Sequence, residues 1–159
     1  MNALRFAMFL MGIGLTAASP FSAAHNDEYF DSIQAPHGGQ MRMAGPYHLE
    51  LVVKDKEIVV YVTDHAETAI STAGGSGKVN VLNDHSKHKV AVRLAESGEN
   101  TLKGTGDFSV TPETVVSVFI ELPGQEVQSA SFTPLKPKSA AGTAPRGGGH
   151  DHSDHSHHH

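Results

Sequence analysis

The stretch Tyr47-His-Leu-Glu-Leu-Val-Val-Lys-Asp-Lys-Glu-Ile-Val-Val-Tyr-Val-Thr63 decides the fold. Tyr47, Leu49, Leu51 and Val53 alternate with His48, Glu50 and Val52, and beyond Lys54-Asp55-Lys56 the alternation resumes as Ile58, Val60 and Val62 against Val59 and Tyr61. A period of two puts successive side chains on opposite faces of an extended chain, so the segment reads as two half-buried strands. The polar tripeptide between them closes an antiparallel hairpin. Further strand-like runs are Met41 to Met43, Lys78 to Leu82, Lys89 to Leu94, Asn100 to Gly104, Val115 to Leu122 and Glu126 to Phe132, separated by Gly, Asn, Asp and Pro clusters. Many short strands without a long helical pattern predict an all-β, antiparallel domain. A β-sandwich of the immunoglobulin-like type is the expected architecture, with a small barrel as the alternative.

Composition divides the chain around this core. Arg5 precedes an apolar run from Phe6 to Leu15 and a small-residue end at Ser22-Ala23-Ala24, so residues 1–24 read as a cleavable signal peptide. The run is too short to span a bilayer, and nothing later is apolar for the roughly twenty residues a spanning helix needs. Export to the periplasm, with no membrane insertion of the mature chain, is the expectation. Residues 25–35 are polar and acidic, and residues 134–159 are rich in Pro, Ala, Gly and His. Neither segment has the apolar surface to fold alone. The folded domain is therefore expected at 36–133, followed by a flexible linker and tail.

Charge and cysteine usage exclude several classes of function. Arg5 is the only charged side chain in residues 1–24, so the mature chain has 11 basic and 17 acidic residues, a net of −6. An acidic surface repels phosphate backbones and attracts cations, which argues against a nucleic-acid partner. The chain has no cysteine, so neither a disulfide nor thiolate metal ligation is available to it.

Histidine carries the functional signal. Six of the twelve histidines, His150, His152, His155, His157, His158 and His159, stand in the last ten residues among Asp151, Ser153, Asp154 and Ser156. An added purification tag would be an uninterrupted run, whereas this is an interleaved, acidic metal-capturing tail. Neutral imidazole binds zinc, copper and nickel, so copper or zinc is the expected ion, with nickel or cobalt as alternatives.

Inside the domain, His37 lies in Pro36-His-Gly-Gly39, His48 opens the first long strand, and His65 follows the second in Thr63-Asp-His65. The start of one hairpin strand lies beside the end of the next, so His48 falls at the same end as Asp64 and His65. The chain before Tyr47 returns to that end, which adds Met41, Met43 and His37 to the candidate ligands. Imidazole with thioether favours Cu(I), and imidazole with the Asp64 carboxylate suits Zn(II) or Cu(II). The plainer alternative is that His37 and His65 bond loop backbone, His48 occupies a polar strand face and the methionines fill core gaps. His85 and His88 form a further i, i+3 pair in a polar turn, where Lys87 and Lys89 would repel a cation.

The segments Pro36-His-Gly-Gly39, Tyr47-His-Leu-Glu-Leu51 and Thr63-Asp-His-Ala66 resemble a small exported bacterial domain that occurs alone or fused near the N-terminus of periplasmic adaptor subunits of heavy-metal RND efflux systems. The resemblance spans roughly residues 36 to 133. It implies periplasmic location, a β-rich fold, heavy-metal association and periplasmic efflux components as partners. The helical hairpin and lipoyl-like halves of a full adaptor are absent from this chain.

An enzyme is the rival class. The chain resembles copper/zinc superoxide dismutase in being a histidine-bearing exported β-protein, but its one His-x-His pair is His150 and His152, in the tail. No G-x-S-x-G elbow or H-E-x-x-H pair occurs, so no catalytic residue is assigned. The sequence therefore predicts a non-enzymatic periplasmic metal-binding protein that buffers or hands over its ion. The alternative is a docking module for an efflux adaptor, with the tail as an unselective trap. Imidazole must be neutral to ligate, so capacity should fall as pH drops through about 6.5.

Overall fold

The computed structural model describes residues 21–83 and 89–136. They form one helix, α1 (Phe21–Ser32), and eight strands: β1 (Gln40–Ala44), β2 (Tyr47–Lys54), β3 (Glu57–Thr63), β4 (Ser76–Leu82), β5 (Lys89–Gly98), β6 (Thr101–Thr105), β7 (Val115–Glu121) and β8 (Gln128–Phe132). Each strand overlaps a run of period-two alternation in the sequence. The hairpin pairs Lys54 with Glu57, so its loop is only Asp55-Lys56, and Lys56 takes a φ of 68° to close it.

All neighbouring strands are antiparallel and belong to one sheet, in the order β1-β2-β3-β6-β5-β4-β7-β8. The sheet curls until its outermost strands, β1 and β8, lie side by side. Of the two architectures the alternation allows, the structure adopts a single, nearly closed, barrel-like sheet. Side chains complete the seam where no ladder forms: Gln40 Oε1 accepts the Thr133 backbone N–H at 2.8 Å. Gln128 lies across Gly45, where any Cβ would collide with its amide.

One alternating set from every strand fills the interior. Leu49, Leu51, Ile58, Val60, Val62, Val79, Val81, Val92, Leu94, Leu102, Val116, Val118, Ile120 and Phe132 are all buried in one cluster. Registers such as Leu51 opposite Val60, Val60 opposite Leu102, and Val79 opposite both Val92 and Val118 carry this apolar face from strand to strand. Each fully buried aliphatic side chain of this kind contributes about 1.5–3 kcal/mol, and with no disulfide this burial is the main source of stability.

The complementary set on β1, β2 and β3 faces outward: Met41 opposite Glu50, Met43 opposite His48, His48 opposite Thr63 and Glu50 opposite Tyr61. Helix α1 covers part of this outer face. Composition marks residues 25–35 as too polar to fold unaided, and the helix is held from outside: Phe30 and Ala35 are buried against Met41, with Ile33 and Met43 beside them. Arg42 pins it further, donating from Nη1 and Nη2 to the two oxygens of Asp31 at 2.9 and 3.3 Å, with its Nε 3.4 Å from Asp27. No helix among the described residues is long and apolar enough to cross a membrane. Residues 1–20 of the expected leader (1–24), the pair His85 and His88, and the whole histidine tail lie outside the described residues, and the last four leader residues open α1.

Candidate metal-binding face

Two histidines on this outer face are each held by a carboxylate through Nδ1. His37 reaches the face because Gly38 turns the chain at a φ of 76° and Gly39 passes so close to β2 that a Cβ there would strike the Leu51 carbonyl. The arriving segment delivers three donors to the buried Glu50: the His37 backbone N–H at 2.8 Å, the Gly39 N–H at 3.0 Å and the His37 ring Nδ1 at 2.7 Å. The imidazole then lies flat on Tyr61, with centroids 3.6 Å apart and planes within 2°. Glu50 has 5% of its side chain exposed and His37 has 44%, so a buried carboxylate orients an imidazole that looks into solvent.

The second pair forms at the end of the hairpin. His48 Nδ1 donates to Glu67 Oε1 at 2.9 Å. The turn after β3 places Glu67: Asp64 Oδ1 accepts the backbone N–H groups of Ala66 and Thr68, both at 2.8 Å, and the Asp64 N–H donates to the Thr68 carbonyl at 2.9 Å. These bonds, the Thr68 N–H foremost, hold the Asp64 carboxyl below its usual range. Glu67 itself sits at a φ of 61°, an uncommon conformation for a residue with a side chain. His65 projects from the same turn, stacks on His48 with centroids 4.9 Å apart and planes 20° apart, and donates from Nε2 to the Gly45 carbonyl at 3.2 Å. Phe30 of α1 meets the His48 ring edge-on at 4.8 Å.

Tautomers follow from these partners. Carboxylate and carbonyl oxygens only accept, so the bonded nitrogen must carry the proton in each ring. In the neutral rings His37 and His48 keep a lone pair on Nε2, and His65 keeps one on Nδ1. A carboxylate on Nδ1 with Nε2 left as ligand is the arrangement that orients metal-binding histidines and raises their basicity.

The sequence-predicted residues therefore divide. His48 and His65 come together, as the antiparallel hairpin requires. His37 occupies its own position, beside Glu50, two residues along β2 from His48 and so about 7 Å away along the strand. Met43 stands directly across the β1–β2 ladder from His48 and packs against the cluster containing Phe30. Met41 is buried opposite Glu50 and fills the seat under α1. Asp64 caps its own turn, its Oδ1 accepting two backbone N–H groups.

Sequence reasoning missed Glu50, Glu67, Tyr61 and Phe30. Glu50 carried a signal, since it lies two residues from His48 and so on the same face. Glu67 carried none, because its reach depends on a left-handed backbone conformation that no residue type there announces. Among the described residues no group of three or more His, Cys, Asp or Glu side chains converges on one point. A surface depression lies at the opposite, Asp55-Lys56 end of the hairpin, between that turn and Thr105-Gly106-Asp107.

No protein-family model matches the chain, and no curated protein or solved structure matches it in sequence or fold.

Proposed function

We propose that the protein is an exported metal-binding protein that buffers copper, zinc or a similar ion, or hands it on, in the service of metal efflux or resistance. The tail histidines collect the ion and the carboxylate-held imidazoles of the domain retain it. The observation that carries this reading is the repeated arrangement His37–Glu50 and His48–Glu67, in which Nδ1 is tied to a carboxylate and Nε2 keeps its lone pair. Tail and domain belong to one chain, so transfer between them is intramolecular, at an effective concentration on the order of millimolar.

A second reading is favoured by one finding, that no three His, Cys, Asp or Glu side chains converge among the described residues. On that reading the barrel is a non-catalytic docking module for a periplasmic efflux component, and the tail alone traps metal.

Calorimetric titration with Cu(I), Cu(II), Zn(II), Ni(II) and Co(II) separates the two. The proteins compared are the natural chain and a full-length variant with the six tail histidines changed to Asn. Stoichiometric binding that persists in the variant and is lost on adding His48→Asn supports a domain site. Loss of all binding with the tail histidines leaves the docking module.

A further inference from the structure

Met43, His48 and His65 meet at one end of the outer face. His48 and Met43 are direct cross-strand partners on β2 and β1, so their side chains leave the sheet side by side on the same face. His65 arrives from the turn after β3 and lies parallel to the His48 ring. The available donors are thus His48 Nε2, His65 Nδ1 and the Met43 thioether.

The geometry points to a cuprous-ion site built from Met43, His48 and His65, with Glu67 as the residue that positions His48. This inference rests on the metal-binding reading above and specifies its ion.

Three features of the surroundings favour Cu(I) over a divalent ion. First, the carboxylates nearby are engaged: Glu67 holds His48, and the Oδ1 of Asp64 receives two backbone N–H groups. The groups that face one another are two neutral nitrogens and one soft sulfur, whereas Zn(II) seeks four nitrogen, oxygen or thiolate ligands and gains most from anionic ones. Second, one side of the site is apolar, formed by Phe30 with Met41 and Ile33 behind it. The cost of taking an ion out of water rises with the square of its charge, so such a wall penalises a divalent ion far more than a monovalent one. Third, a d10 monovalent ion is satisfied by two or three soft ligands and needs no further group from the protein.

Loading requires one movement. Lone pairs of stacked rings run parallel rather than converging, so one ring has to turn. His65 is the exposed member, held by a 3.2 Å contact to the Gly45 backbone carbonyl, which water replaces at little cost. His48, buried under Phe30 and bonded to Glu67, stays in place.

The test uses the full chain with its six tail histidines changed to Asn. It is titrated anaerobically with Cu(I) against the cuprous chelator bicinchoninate, and separately with Zn(II). One equivalent of Cu(I) is expected to bind, with at least a tenfold loss of affinity in Met43→Leu, which preserves volume, and a larger loss in His65→Asn. The Met43 methyl resonance should move on addition of Cu(I) and not of Zn(II). Zn(II) affinity should change less than twofold in Met43→Leu. If Met43→Leu binds Cu(I) as tightly as its parent while His48→Asn abolishes binding, the cuprous assignment falls and the metal-binding reading stands. If the tail variant binds neither ion, both fall together. Near-identical amide spectra of Met43→Leu and its parent establish that a loss is not one of folding.

Discussion

Glu50→Gln and Glu50→Ala test whether a single carboxylate organises the approach of His37 to the barrel. Glu50 accepts two backbone N–H groups at 2.8 and 3.0 Å and the His37 ring at 2.7 Å while itself almost wholly buried. Hydrogen bonds to a charged group contribute roughly 1.5–3 kcal/mol each, and an orphaned buried donor costs roughly 1–3 kcal/mol. Removal of all three bonds by alanine would sum to more than the net effect, because the wild-type carboxylate already carries a desolvation cost and the partly exposed donors can turn to water. The expected loss for Glu50→Ala is about 2–4 kcal/mol, and for Glu50→Gln about 1–2 kcal/mol, since the amide oxygen still accepts both backbone donors.

Glutamine also makes a qualitative prediction that alanine cannot. Its amide nitrogen would face His37 Nδ1 as a donor, so the ring must give up its Nδ1 proton and become the Nε2–H tautomer. Urea unfolding reports the stability, and long-range nitrogen–carbon correlation spectra of the imidazole report the tautomer. Loss below about 0.5 kcal/mol in Glu50→Ala, or an Nδ1–H tautomer retained in Glu50→Gln, would show that Glu50 does not hold the His37 segment.

Other expectations concern the same face and the barrel rim. Arg42→Ala removes the bidentate contact to Asp31 and the contact to Asp27, so the amides of α1 should lose hydrogen-exchange protection while those of β2 and β3 keep theirs; equal loss in all three would show that the helix is not a separate cooperative unit. Gly39→Ala pushes a methyl into the Leu51 carbonyl and should lift the His37 segment off Glu50, seen as loss of the ring-current shift that Tyr61 imposes on the His37 protons, at a cost of about 1–3 kcal/mol. Lys103, by its hydrogen bond and then its charge, holds the Glu57 carboxyl below its ordinary 4.5, so this pair stabilises the fold above that pH and loses its effect as pH falls through the lowered folded value. Stability curves of Glu57→Gln and wild type should therefore converge on acidification below 4.5 and diverge above it; curves that stay parallel throughout would dismiss the linkage.

Much of this arrangement was legible beforehand, for identifiable reasons. The alternation in Tyr47–Thr63 fixes which side chains point inward, and a hairpin closed at Lys54-Asp55-Lys56 sets the start of one strand beside the end of the next, so the meeting of His48 with His65 follows from the chain alone. The same logic places Met43 beside His48. The role of Asp64 did not follow, because a ligand and a turn cap look alike in Thr63-Asp-His65, and only the backbone geometry shows the carboxylate closing its own loop. The separation of His37 from His48 was also hidden. His37 lies eleven residues before His48 in sequence, and Glu50, not proximity in the chain, determines where it lands.

Local pattern and global closure thus belong to different levels. The strands, their inward and outward faces, the hairpin and the identity of the imidazoles at its end are written into the chain locally, because each depends on side-chain period and turn chemistry over a few residues. Tertiary structure alone decided that the strands close into one curled sheet, since a sandwich and a barrel demand the same alternation and differ only in pairings such as β3 with β6, roughly forty residues apart in the chain. It also decided which carboxylates hold the histidines. Glu67 reaches His48 across nineteen residues through one left-handed backbone conformation, and Phe30 covers the ring because α1 packs on Met41 and is tied to Arg42. Such contacts arise from surfaces that do not exist until the chain has folded.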